Sequence, residues 1–245
     1  MSDSPPRLLV VDDDPDIRSN LRDILTDMSY DVDTAPDGPT AMKLIEQQPY
    51  DVALLDMKMP GMDGLELYRR IKQTRSGTVA IIVTAYAADE SAQEAVQMGA
   101  WEVVAKPVEL ERLLSVIDDV VSRPLVIVVD DDPDLCQSLW DLLREKKYRV
   151  CVAHDVEQAR QRLSERPYQV ALIDMKLPAG EGGDVLEAVR RTNPDARTIL
   201  ITGYASELEQ KVQQAMQGGA DAVCYKPFDL PQLLATLNRF VGQEE

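Results

Sequence analysis

The chain has 245 residues, 43 acidic against 26 basic side chains and a formal charge of −17. That length allows two domains of ordinary size, each able to bury its own core. The charge excludes a nucleic-acid backbone or an anionic membrane surface as the main partner, and no apolar run approaches the ~20 residues that span a bilayer.

The start, Met1-Ser2-Asp3-Ser4-Pro5-Pro6, lacks a basic-then-apolar leader. Leu8 to Val11 then reads as a short apolar strand, and Asp14 or Pro15 opens a helix whose apolar face carries Ile17, Leu21, Ile24, Leu25 and Met28. A strand near Asp31 to Ala35 leads through Asp37-Gly38 turn chemistry to a second helix marked by Ala41, Leu44 and Ile45. Val52 to Leu55 shows no polar alternation, so it is expected to be covered on both faces. After Asp56, a loop containing Pro60, Gly61 and Gly64 precedes a third helix with Leu65, Tyr68 and Ile71. Val79 to Val83 forms a strand ending at Thr84, and Ala92, Ala95 and Val96 mark a fourth helix stopped by Gly99. Glu102 to Ala105 ends at Lys106-Pro107, and Leu110, Leu113, Leu114, Ile117 and Val121 mark the last helix.

The plan then repeats. Val-Val-Asp-Asp-Asp-Pro-Asp stands at Val10 to Asp16 and again, unchanged, at Val128 to Asp134. Asp56-Met57-Lys58 matches Asp174-Met175-Lys176, Thr84 matches Thr202, and Tyr86 matches Tyr204. The second copy is two residues longer; the gain is placed after Met98 and Met216, beyond which Gly99-Ala100 matches Gly219-Ala220 and Lys106-Pro107 matches Lys226-Pro227. This is a tandem duplication of a domain. Strands Leu125 to Val129, Val170 to Ile173 and Thr198 to Ile201 are expected, with helix faces Leu135/Leu139/Leu142/Leu143 and Leu230/Leu233/Leu234/Leu237/Val241. The domains are drawn as 1–123 and 124–245, with Pro124 stopping the helix in a very short linker.

Strands alternating with helices imply an α/β fold with a parallel sheet and helices on both faces. Ligands in such sheets lie beyond the carboxyl ends of the strands. Asp12, Asp13, Asp56, Thr84 and Lys106 all fall at strand ends. Two carboxylates about 4 Å apart at an effective dielectric near 20 repel by about 4 kcal/mol, a large share of the ~5–15 kcal/mol that holds a domain together. Such a cluster calls for protons or a cation. Helix capping alone accounts for one Asp, but not for the same three-acid pattern twice, each with a downstream Thr and Lys.

On these residues the chain resembles the two-component response-regulator receiver, the phospho-acceptor domain of bacterial signalling, in two copies. The acidic pair after the first strand, Asp-Met-Lys-Met-Pro-Gly-Met-Asp-Gly after the third, Thr-Ala after the fourth and Lys-Pro after the fifth carry the resemblance. It implies two flavodoxin-like doubly wound (βα)5 domains with sheet order 2-1-3-4-5. Asp56 and Asp174 would be the phospho-acceptors. Asp12, Asp13 and Asp56, and Asp130, Asp131 and Asp174, would hold one Mg²⁺ per domain, completed by the backbone carbonyls of Lys58 and Lys176. Thr84 and Thr202 would hydrogen-bond a phosphoryl oxygen, Lys106 and Lys226 would pair with the phosphate, and both Lys-Pro bonds would be cis. The implied partners are a histidine kinase or a histidine phosphotransfer protein, with neither nucleic acid nor membrane; dimerisation, common in that family through the last helix, stays open. Self-catalysed phosphorylation and dephosphorylation, not conventional enzymatic turnover, is the expectation.

Two departures stand out. The family's aromatic residue three positions before the site Lys is Val103 in one copy and Val223 in the other, which sets aside the aromatic-rotamer switch. No output domain is expected after Glu245, so output would be protein contact or phosphate relay. A phosphorylation-independent scaffold, or the receiver region of a longer regulator, are the alternatives. A haloacid-dehalogenase-type phosphohydrolase would need Asp-x-Asp where Asp56-Met57-Lys58 places Lys.

Other residues are assigned quieter roles. Cys136, Cys151 and Cys224 are odd in number and form no Cys-x-x-Cys pair, which points to thiols in a reducing cytosol and a cytoplasmic location, with no zinc site. His154 is expected as a solvated loop histidine, and Trp140 at the rim of its helix, where it could meet a partner. Lys58 and Lys176, with Tyr86 and Tyr204, flank the path of hydrolytic water in the family; their identity predicts similar lifetimes for the two aspartyl-phosphates.

Overall fold

The computed structural model describes residues 5–74, 77–178, 180–203 and 209–242, in two compact units, Met1–Arg123 and Pro124–Glu245. The first unit runs β1 (Arg7–Val11), α1 (Pro15–Asp27), β2 (Asp31–Ala35), α2 (Gly38–Gln47), β3 (Val52–Asp56), α3 (Gly64–Thr74), β4 (Val79–Thr84), α4 (Glu90–Gln97), β5 (Glu102–Ala105) and α5 (Leu110–Ser122). Its sheet is wholly parallel, in the order β2-β1-β3-β4-β5. The second unit runs β6 (Leu125–Val129), α6 (Pro133–Glu145), β7 (Arg149–Ala153), α7 (Val156–Glu165), β8 (Val170–Asp174), a small antiparallel hairpin β9 (Lys176–Leu177) and β10 (Gly180–Glu181), α8 (Gly182–Thr192), β11 (Arg197–Gly203), α9 (Glu209–Gln217), β12 (Ala222–Lys226) and α10 (Leu230–Val241). Its parallel sheet has the order β7-β6-β8-β11-β12. Both are flavodoxin-like doubly wound α/β units.

The two-residue period of a strand explains why the central strands are apolar throughout. In β1, Leu9 and Val11 enter one core with Ala41, Ile45, Leu67 and Ile71. Leu8 and Val10 enter the other, with Leu21, Leu25, Leu113 and Ile117. β6 divides the same way, Leu125, Ile127 and Val129 to one side and Val126 and Val128 to the other. Each large aliphatic so buried contributes about 1.5–3 kcal/mol. Helix starts are set by Asp side chains: Asp14 accepts from the N–H groups of Asp16 and Ile17, Asp132 from Asp134 and Leu135, in each case with Pro next in sequence.

Several sequence-based placements are corrected. Met28 (55% exposed), Val96 (46%), Leu110 (36%) and Leu230 (43%) lie outside the cores, because the buried stripes centre on Leu21/Leu25, Ala92/Ala95, Leu113/Ile117 and Leu233/Leu237. Trp140 is not at a rim. The buried face of α6 is Cys136, Leu139, Trp140 and Leu143, so Trp140 follows Cys136 by one helical turn and packs in the second unit's own core, with Arg144 5.6 Å from its ring centroid. His154 is half-buried rather than fully solvated. The two extra residues enter earlier than placed from sequence. Ala100 N–H donates to Ala95 O and Ala220 N–H to Ala215 O, so α4 and α9 already match at the longer offset, and the gain falls between Thr202 and Ala215. Tyr204 lies outside the described residues.

Candidate functional site

Strand register brings the acids together. Val11 lies opposite Leu55, so the next residues, Asp12 and Asp56, end adjacent strands side by side. Asp56 pairs with Val83, which puts Thr84 one step beyond it on β4. Thr84 pairs with Ala105, and Lys106 follows directly, its N–H donating to Thr84 O at 2.9 Å. The second unit repeats the arrangement through Val129/Ile173, Ile201/Asp174 and Gly203/Lys226.

Asp12, Asp13 and Asp56 each offer a carboxylate oxygen within 4.8 Å of the others, and so do Asp130, Asp131 and Asp174. In each set the first and third acids are buried and the middle one is exposed. Lys106 Nζ donates to Asp12 Oδ2 at 2.7 Å and to Asp56 Oδ1 at 2.9 Å. Lys226 Nζ does the same to Asp130 Oδ2 at 2.7 Å and Asp174 Oδ2 at 2.5 Å. Burial pushes the Asp56 carboxyl above the ordinary carboxylate range, with Asp12 adding repulsion against the opposing pull of Lys106. In the second unit burial raises Asp130 in the same way, with Asp174 adding repulsion. Burial opposes the charge on Lys106 and Lys226, but their carboxylate partners outweigh it and hold both ammonium groups above the usual lysine value.

Three carboxylates and one ammonium leave two negative charges uncompensated at each site. The donors are all hard oxygens. That set fits a divalent cation such as Mg²⁺, with Asp12, Asp13 and Asp56, or Asp130, Asp131 and Asp174, as the residues to hold it. The backbone around the acceptors is also fixed. Lys58 N–H donates to Asp56 Oδ2 at 3.1 Å and Lys176 N–H to Asp174 Oδ1 at 2.8 Å. The Lys58 side chain turns outward, its Nζ 3.9 Å from Asp89 and 5.4 Å from the centroid of the Tyr86 ring. Thr84 is fully buried and its Oγ1 accepts from Tyr86 N–H at 3.1 Å, which leaves its own hydroxyl hydrogen free to donate. Thr202 is 1% exposed, with Oγ1 3.2 Å from Gly203 O. Lys106-Pro107 and Lys226-Pro227 are cis. Val103 and Val223 pack against the cores.

Two features escape a reading of the sequence. Gly64 and Gly182 pass directly under the acceptors: a Cβ on Gly64 would stand 2.2 Å from Asp56 O, and one on Gly182 2.4 Å from Asp174 O. Their presence at the same place in both copies was the available signal. The second is how the carbonyl of the first acid is held. Arg18 Nη1 donates to Asp12 O at 2.5 Å, whereas Asp130 O faces Cys136 Sγ at 3.2 Å and His154 Nδ1 at 3.1 Å. No motif signals these residues, because they differ between the copies.

A family model described as the response regulator receiver domain matches residues 8–118 and 126–238. A response regulator receiver protein of Anaeromyxobacter sp. strain Fw109-5 is 32% identical over 95% of this chain and 94% of its own length. The transcriptional regulatory protein GlrR of Escherichia coli K12 is 34% identical over 50% of this chain, which spans only 28% of that regulator. Among solved structures, the response regulator TrrA of Thermotoga maritima, crystallised with Mg²⁺-BeF, shows 35% identity over 47% of this chain and 98% of its own, with a TM-score of 0.42.

Proposed function

Because the chain belongs to the response regulator receiver family, with one receiver in each unit, we propose that it is a tandem receiver of two-component phosphorelay signalling. Asp56 and Asp174 take phosphoryl groups from a histidine kinase or a histidine phosphotransfer protein. The observation that carries this is the lysine bridge: one ammonium spans the acceptor and its neighbouring acid in each unit.

A carboxylate is a poor acceptor for an anionic phosphoryl group until the repulsion between them is offset. Lys106 and Lys226 supply one positive charge where the transferred oxygens gather. A bound Mg²⁺, one per unit, supplies the remaining charge compensation. The Asp56 carboxylate oxygen attacks phosphorus, the bond to the donor imidazole nitrogen breaks, and an acyl phosphate results. The Lys58 amide fixes the other carboxylate oxygen, so the attacking oxygen is held in place. Thr84 then donates its free hydroxyl hydrogen to a phosphoryl oxygen, and the β4–α4 loop follows. Phosphorylation shifts the balance between two conformations of each receiver. Val103 and Val223 take the place of an aromatic reporter, so the change passes through Thr84 and Thr202 without an aromatic rotamer. Output is protein contact or onward relay, and the protein is its own substrate, not a turnover enzyme. Among the described residues no helix is long and apolar enough to cross a membrane, in keeping with a cytoplasmic place of action.

The test is titration with beryllofluoride and Mg²⁺, followed through the amide resonances of Thr84 and Thr202. Both amides shift, and Asp56→Asn abolishes only the Thr84 response. Absence of any shift overturns the reading.

A further inference from the structure

The two sites are not equivalent, and one difference lies in what holds one carbonyl; another is Arg160, which lines a pocket with Asp131 where the first unit has Met42. Arg18 projects from the first turns of α1 onto Asp12 O at 2.5 Å. The matching position of α6 is Cys136, fully buried, with its thiol on Asp130 O. Position 154 adds an imidazole to that oxygen, where the first unit has Pro36, which carries no side-chain donor. A guanidinium is charged at every pH a protein survives. The first site therefore carries a permanent cation on the backbone of one of its three acids. The second holds the same atom with a neutral thiol and an imidazole N–H.

That charge acts against a second cation. A unit charge about 10 Å from a divalent ion changes its affinity by roughly fourfold at the dielectric of water and by a few hundredfold at an effective dielectric near 20, so an effect of about tenfold falls between the two. The hydrogen bond also fixes the peptide between Asp12 and Asp13, two of the three acids that precede α1. We infer that Arg18 is a positioning residue that sets the divalent-cation affinity of the first receiver below that of the second, so that the second receiver becomes competent for phosphorylation first when Mg²⁺ is limiting. This rests on the phospho-acceptor reading given above.

The experiment uses the full ¹⁵N-labelled chain, titrated with Mg²⁺ alone at pH 8. The amides of Lys58 and Lys176, each bonded to its acceptor carboxylate, report the two sites separately in one sample. At low salt the Lys176 midpoint falls about tenfold below that of Lys58, and the gap narrows as added KCl screens the charge. Arg18→Gln moves the Lys58 midpoint towards that of Lys176, which stays in place as the internal control. Arg18→Lys keeps most of the gap, because it keeps the charge. Equal midpoints in the unmodified chain overturn the inference without any variant, as does an Arg18→Gln chain whose Lys58 midpoint is unmoved. If neither amide responds to Mg²⁺, the acid clusters bind no such ion and the phospho-acceptor reading falls with the inference.

Discussion

Asp56→Asn stabilises the first receiver when no divalent ion is present. Asp12 and Asp56 are both buried and offer oxygens within 4.8 Å of each other. At that spacing and an effective dielectric near 20, their repulsion is about 3 kcal/mol. Lys106 offsets part of it, but its one ammonium is shared between the two acids, and burial weighs against every charge in the group. Burial, with repulsion from Asp12, holds the Asp56 carboxyl above its ordinary value despite the pull of Lys106. Asparagine removes the repulsion and one desolvated charge while Lys106 keeps Asp12, so the gain is about 1–2 kcal/mol. The sign with pH follows. A carboxyl whose folded pKa is raised adds stability that is fully present below its unfolded value of 3.8 and lost as the pH rises through the folded value. The advantage of the Asp56→Asn variant is thus largest near neutrality and shrinks as the pH falls. The assay is urea unfolding in EDTA, in a Trp140→Phe background so that Trp101, buried in the first unit's core, reports that unit alone. An Asp56→Asn chain less stable than its parent at pH 7 would mean that the bond to Lys106 outweighs burial and repulsion at Asp56.

Three further outcomes are expected. Lys106→Met leaves Asp12 and Asp56 buried without their cation and costs the metal-free first unit about 3–5 kcal/mol, part of which Asp56→Asn restores; the same unfolding assay measures both. Gly64→Ala forces a methyl group against the Asp56 carbonyl, costing about 2–4 kcal/mol, and phosphoryl uptake, read by mass spectrometry, falls at Asp56 while Asp174 is unaffected. At saturating Mg²⁺ the two aspartyl-phosphates decay at similar rates, because Lys58 and Lys176 occupy the same place beside each acceptor; acid-quenched time courses differing by an order of magnitude contradict this.

What could be read from the sequence follows from what is local. Leu8 to Val11 and Val52 to Leu55 are apolar on both faces because helices cover both sides of a parallel sheet, and that leaves a mark in a single strand. Asp12 and Asp56 were legible because acids directly after such strands must meet at one sheet edge. Trp140 was not. Leu135 and Leu142 pulled the apparent helix face around, whereas the packing of α6 against β7 and β6 buries Cys136 and Trp140 instead. Gly64 looked like turn chemistry, and only the close pass beneath Asp56 reveals why no Cβ is tolerated. The Arg18 contact with Asp12 O, and the Cys136 and His154 contacts with Asp130 O, depend on how side chains reach a carbonyl at the strand end, which no spacing encodes.

Asp56 and Asp174 are both expected to accept a phosphoryl group. Intact-mass spectrometry after incubation with acetyl phosphate and Mg²⁺ tests this most directly, on the unmodified chain, Asp56→Asn and Asp174→Asn. Two phosphoryl groups are expected on the unmodified chain and one on each variant. A single group on the unmodified chain, or two that persist in either variant, contradicts this expectation.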